Sequence, residues 1–225
     1  MRLRGGGESW QIRIEQRTQN FELALWVRAV ERIEAAGALV PGPLDIDPLP
    51  PPSPTEVAGH RAQQRADEMA EGWAAWWDVE VRQPPEGPSR LPSSVAQLVG
   101  ELDGRGYPRP DFSYRPPDFD GLRRWPYLRE VVALRWMEAL RWQGGRKRTA
   151  VGLGLRSPDN GRVVGEVERW LGRPVRPFRL ELIILPVLDD EVRRVWDERY
   201  LVPERVYEGP GWPDILQRIV VRLGS

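Results

Sequence analysis

Cysteine is absent from the 225 residues, histidine occurs once (His60) and lysine once (Lys147). The missing cysteine excludes disulfide scaffolds, thiolate zinc sites, iron–sulfur clusters and thiol nucleophiles. A single histidine excludes multi-histidine metal sites and leaves one position for a Ser–His–Asp triad. A single lysine leaves one candidate for a Schiff base or a phosphate-loop contact. No G-x-S-x-G, H-E-x-x-H or phosphate-loop pattern occurs, and Gly152-Leu153-Gly154 lacks the third glycine and the strand-to-helix turn of a dinucleotide fingerprint. No apolar run approaches the roughly 20 residues of a membrane helix. Met1–Gly7 carries no apolar stretch of signal-peptide type. A cytoplasmic location, no membrane partner and no cofactor are therefore expected. The 33 basic residues balance 33 acidic ones, which argues against a bulk nucleic-acid binder. All the basic residues but Lys147 are arginine, a bias in keeping with GC-rich codons.

What the chain does have is 40% hydrophobic residues, 11 Trp and 23 Pro. Trp10, Ile12 and Ile14 alternate with polar residues as in a strand. Leu23, Trp26, Val27, Val30 and Ile33 form an apolar stripe that predicts a helix over Phe21–Ala36, with Asn20 as N-cap and Gly37 just past its end. Residues 41–54 hold seven prolines and form an extended connector. Ser53, Pro54, Thr55 and Glu56 supply a capping box for a helix running to about Val79, weakened by Gly59 and Gly72. A second Pro/Gly connector occupies 83–92. A short helix with Val95, Leu98, Val99 and Leu102 follows, then an aromatic loop over 104–120. The next helix, Tyr127–Trp142, carries Leu128, Val131, Val132, Met137 and Leu140 besides Trp136 and Trp142, and Gly144-Gly145 ends it.

Past the diglycine the pattern alternates. Thr149–Leu155 reads as a strand, Val163–Leu171 as a helix closed by Gly172, and Phe178–Val187 as a strand with one face wet over its first half. Asp189–Glu198 reads as a helix, Leu201-Val202 and Val206-Tyr207 as an edge strand or loop around Pro203, and the chain from Pro213 to Gly224 as a helix. The fold class expected is α+β, or mixed α/β: a mainly helical part over 1–145 packed with a small part of alternating strands and helices over 146–225, the two sharing one core or not.

Four groups of residues are candidate sites. Trp73, Trp76 and Trp77 share one helix side at spacings of three and four; such a cluster is either core or an aromatic docking face, since Trp is enriched at interface hot spots. Asp118 and Asp120 are placed to share a hard cation, with Asp111 near in sequence, unless Asp120 is simply a helix cap. Arg146, Lys147 and Arg148 form an anion-binding run or a solvated helix C-terminus. His60 has Glu56 one turn away and is either a general base or a surface histidine.

These features favour a non-enzymatic protein–protein interaction or assembly module, whose partner is another protein or a second copy of the chain. The alternatives are a metal-dependent enzyme acting on a phosphorylated or nucleic-acid substrate through Asp118, Asp120 and Arg146–Arg148, and a small-ligand binder with a Trp-lined pocket.

Overall fold

A computed structural model describes residues 10–16, 19–46, 48–53, 60–82, 114, 116–152 and 158–225, with backbone alone for 60 and 147–152. The elements run β1 (Gln11–Gln16), α1 (Gln19–Val30), α2 (His60–Arg82), a 3-10 turn (Asp120–Leu122), α3 (Pro126–Gly152), α4 (Asn160–Leu171), β2 (Arg179–Leu185), β3 (Arg193–Trp196), β4 (Arg199–Pro203), the single turn α5 (Glu204–Tyr207) and α6 (Trp212–Gly224). The fold is α+β: six helices and a four-stranded mixed sheet among the described residues. The strand order is β1-β2-β4-β3. β1, β2 and β4 run parallel, and β3 pairs antiparallel with β4 through a tight connection.

Side-chain alternation sends the two sheet faces to different partners. Ile183, Leu185 and Leu201 join α1, α2 and α3 in one apolar cluster. Leu180, Leu182, Ile184, Tyr200 and Val202 join α4 and α6 in another. With helices over both faces, β2 is buried from Leu180 onward, as expected of a strand with parallel neighbours. Glu181, expected on a wet face, is only 5% exposed. It lies opposite Arg199 in the register, and the guanidinium 3.1 Å away lets a carboxylate stay inside. α1 is buried on nearly every side between the sheet and the other two helices of its cluster.

Four elements differ from the sequence expectation, each for a reason that local pattern does not carry. α1 ends at Val30 rather than Ala36, because Arg32 adopts φ 55°. Ile33 N–H then donates to Arg28 O and Arg32 N–H to Ala29 O, the bond pair of a Schellman cap with arginine in the glycine place. α3 runs through Gly144-Gly145 to Gly152 instead of stopping there. Two glycines weaken a helix by about 1 kcal/mol each, but Arg146 just beyond them is held by Glu22 and Glu204. That extension also overturns the strand expected from Thr149. The helix expected over Asp189–Glu198 is instead a loop and β3. The Asp189 carboxylate accepts the Gly42 and Glu191 N–H groups and pairs with Arg193, which pins the segment to the connector. β4 is an inner strand, not an edge, with Pro203 at its last position, and Val206-Tyr207 belong to α5.

β1, β2, α4 and α6 form where alternation, caps and stripes put them. α4 carries Asp159 as its N-cap and Gly172 at φ 66° past its end. The capping box at 54–56, the 83–92 connector, the helix around 94–102, most of the aromatic loop, Asp111 and 153–157 lie outside the described residues, as does the His60 side chain.

Candidate functional site

The tryptophan cluster faces inward. Trp73, Trp76 and Trp77 are 0%, 0% and 2% exposed. Trp73 and Trp77 stack at 5.4 Å, and each ring nitrogen finds a protein acceptor. Trp73 donates to Ala24 O at 2.7 Å, Trp77 to Leu39 O at 2.8 Å, and Trp76 to Glu80 at 3.2 Å. Arg28 sits 5.0 Å over the Trp73 ring. As packed, Trp73 ties α2 to α1 and Trp77 ties it to Leu39, and the three buried side chains offer no face to a partner.

The charged candidates are engaged within the chain. Asp120 accepts from Arg123 at 3.0 Å and from Arg129 at 3.3 Å, so two guanidinium groups occupy the side a cation would need. Asp118 is exposed, and its backbone carbonyl takes the Arg129 Nε–H. Among the described residues no group of three or more His, Cys, Asp or Glu side chains is arranged to hold a metal ion. Arg146 lies between Glu22, at 2.7 Å, and Glu204, and over the Trp142 ring. Two carboxylates more than balance its charge, so this arginine closes the gap between α1, α3 and α5 rather than waiting for an anion. The side chains of Lys147 and Arg148 lie outside the described residues.

A groove of about 800 Å³ runs between the end of α1 and the proline connector, lined by Ala29, Ile33, Pro41, Pro43, Leu44 and Leu49 among others. Its ionisable lining is Arg28, Arg32 and Glu34. Burial lowers the Arg28 pKa to about 10 despite the opposing field of Asp189, so the group stays charged at neutral pH. Its donors are already committed to the Pro41 and Gly42 carbonyls. Such a lining suits an apolar segment and presents no acid–base pair to a bound molecule.

The surface that the sequence reading missed lies on α3. Leu134 is 63% exposed, Met137 42% and Tyr127 39%. With Glu130 and Arg141, both exposed, these residues sit at 127, 130, 134, 137 and 141, alternating steps of three and four that follow one line along a helix. Ala133 beside them is also exposed. Leu128, Val132 and Ala139 on the opposite side are buried. α3 thus carries large apolar side chains on its outer face as well as its inner one. A surface helix ordinarily turns its large apolar side chains to the core, yet this one leaves three of them in water. The signal was present as the spacing of seven and three between Tyr127, Leu134 and Met137. It was hidden because Leu128, Val131, Val132 and Leu140 blur the periodicity of the same helix.

Fold and site together define an α+β protein built on a four-stranded sheet, with large apolar side chains exposed along α3. No protein-family model, no curated protein and no solved structure matches the chain. No helix among the described residues is long and apolar enough to cross a membrane.

Proposed function

We propose that the chain is a non-enzymatic interaction module that docks a protein through the outer face of α3. The observation that carries this reading is Leu134, 63% exposed in the middle of a line that also holds Met137 and Tyr127. Exposed large apolar side chains scattered singly need no explanation, whereas a contiguous set rimmed by charge marks interaction sites. Tyr127 adds a rigid aromatic, itself stacked by Arg65 at 4.2 Å, a residue pairing favoured at interface anchors. Glu130 and Arg141 flank Leu134 and Met137 and supply the charge that gives such a patch its orientation.

The test places a photo-crosslinking phenylalanine analogue at position 134 of the full chain in the cells it comes from. Irradiation is expected to yield a covalent product of higher mass than the chain, lost when Met137 is also changed to Asp. If position 134 reacts only with water or within its own chain, the reading fails.

A further inference from the structure

The α3 face has a charge pattern of its own. Glu130 lies four residues before Leu134, and Arg141 four residues after Met137. Neither takes part in an ion pair among the described residues, although other charged side chains of the same helix do. Arg135 bonds Glu31 and Glu138, and Arg129 bonds Asp120. One acidic and one basic group are thus left exposed on either side of the Leu134–Met137 pair.

That arrangement is self-complementary under a twofold axis. Let two α3 helices cross antiparallel, with the axis passing midway between Arg135 and Trp136. Residues equally far from that midpoint then meet. Leu134 of one copy falls against Met137 of the other, and Glu130 of one against Arg141 of the other, twice over by symmetry. Tyr127 falls against Gly144, next to Gly145, where an added Cβ would meet nothing within 4 Å. The ring therefore lands on bare backbone, and the exposed Ala133 lets the two helices approach closely. A parallel pairing would set Glu130 against Glu130 and Arg141 against Arg141, two like-charge contacts that oppose it.

We propose that a second copy of this chain occupies the α3 face, forming an antiparallel twofold dimer in which Glu130 pairs with Arg141 across the axis. The proposal rests on the reading of α3 as an interaction surface and names its partner. One helix face per copy places the contact at the small end of protein interfaces, below about 1,200 Å². The dimer is accordingly concentration-dependent.

Sedimentation velocity of the full chain from about 1 μM to about 1 mM covers the range in which a contact of this size dissociates. A monomer–dimer equilibrium is expected. Glu130→Arg and Arg141→Glu each replace two attractive contacts by two repulsive ones, and each should weaken dimerisation by about tenfold or more. The double variant Glu130→Arg/Arg141→Glu should restore it, and Leu134→Asp should give a monomer with an unchanged circular dichroism spectrum. A monomer throughout the range, a dimer insensitive to the single changes, or a double variant that stays monomeric overturns the proposal. The crosslink at position 134 separates the two failures. A product with a different protein removes the second copy and keeps the interaction surface. A product of twice the chain mass, in a chain whose swaps behave as stated, supports both.

Discussion

Glu181 and Asp189 lie close in sequence and titrate in opposite directions. Burial pushes the Glu181 carboxyl up, with Glu15 adding to the rise and Arg199 opposing it. Burial also pulls Asp189 upward, but hydrogen bonds from Arg193 and from the Gly42 N–H, with the charge of Arg193, outweigh it and hold the group below its ordinary value. The consequences for stability have opposite signs. A raised acid contributes stability that is fully present below its unfolded pKa, near 4.5, and is lost as pH rises through the folded pKa. A depressed acid contributes stability present above its unfolded pKa, near 3.8, and lost as pH falls through the folded pKa. Melting temperature followed against pH should therefore decline below about pH 4 in the native chain, and Asp189→Asn should flatten that limb alone. If its acid limb matches that of the native chain, the pinning of the β2–β3 loop through Asp189 is not what acid removes. Arg199 is the second case at this scale. It is 3% exposed, it faces Glu181, and Glu15 and Glu80 are close enough to act on its charge. Arg199→Leu leaves carboxylates buried without their cation and should cost about 3–5 kcal/mol in denaturant unfolding. The loss should shrink as acid protonates Glu181, whereas a pH-independent loss would mean that packing, not charge, makes Arg199 necessary.

Helix propensity alone treats Gly72 in α2 and Gly165 in α4 alike, each weakening its helix by about 1 kcal/mol relative to Ala. Their surroundings separate them. A Cβ at Gly72 would stand 2.6 Å from Trp125 Cγ and 2.9 Å from Leu128 Cδ2, whereas one at Gly165 meets nothing within 4 Å. Trp125 and Leu128 are both buried and have little room to retreat. Gly72→Ala should destabilise by about 1–3 kcal/mol in spite of its helical gain. Gly165→Ala should stabilise by about 0.5–1 kcal/mol. Two chemical denaturation curves decide the matter, and shifts of the same sign would refute the close approach of α2 to Trp125. The same contrast accounts for what was legible beforehand. β2, α4 and α6 were readable because their signals are local: strand alternation, an apolar stripe closed by Gly172 in one helix, Pro213 at the start of another. The end of α1, the length of α3 and the identity of β3 were not, since their determinants are distant in sequence. Gly42 binds Asp189 across 147 positions and Arg146 reaches Glu22 across 124. The tryptophan cluster was legible as a cluster, but its side of α2 is covered by α1 and by Leu39, which no spacing announces. The α3 face, conversely, was obscured by an excess of apolar residues around one helix.

At the scale of the whole molecule, the expected division near residue 145 meets a sheet built across it. β1, from the start of the described chain, pairs in parallel with β2 from Gln11 opposite Arg179 to Gln16 opposite Ile184. The far side of β2 and β4 rests on α1–α3 through Ile183, Leu185 and Leu201. Arg146 adds a tie from α3 to Glu22 on α1 and Glu204 on α5. A fragment of residues 146–225 would keep β2, β3, β4 and the α4–α6 cover but lose both its parallel neighbour and the cover of one sheet face. A fragment of 1–145 would keep the helices and leave β1 with no strand to pair. Neither should hold a fixed structure alone, because an uncovered apolar sheet face and an unpaired inner edge cannot both be left to water. Each fragment expressed separately should give a poorly dispersed proton spectrum and no cooperative melt. Mixing the two should restore both. The intact chain should melt in a single transition, because its two clusters are opposite sides of the same strands, and it should fold slowly, since β1–β2 pairing must close a loop of most of the chain. A sharp, independent melt of the 146–225 fragment would instead make the C-terminal part a domain in its own right, with β1 an accessory strand added to a sheet already complete without it.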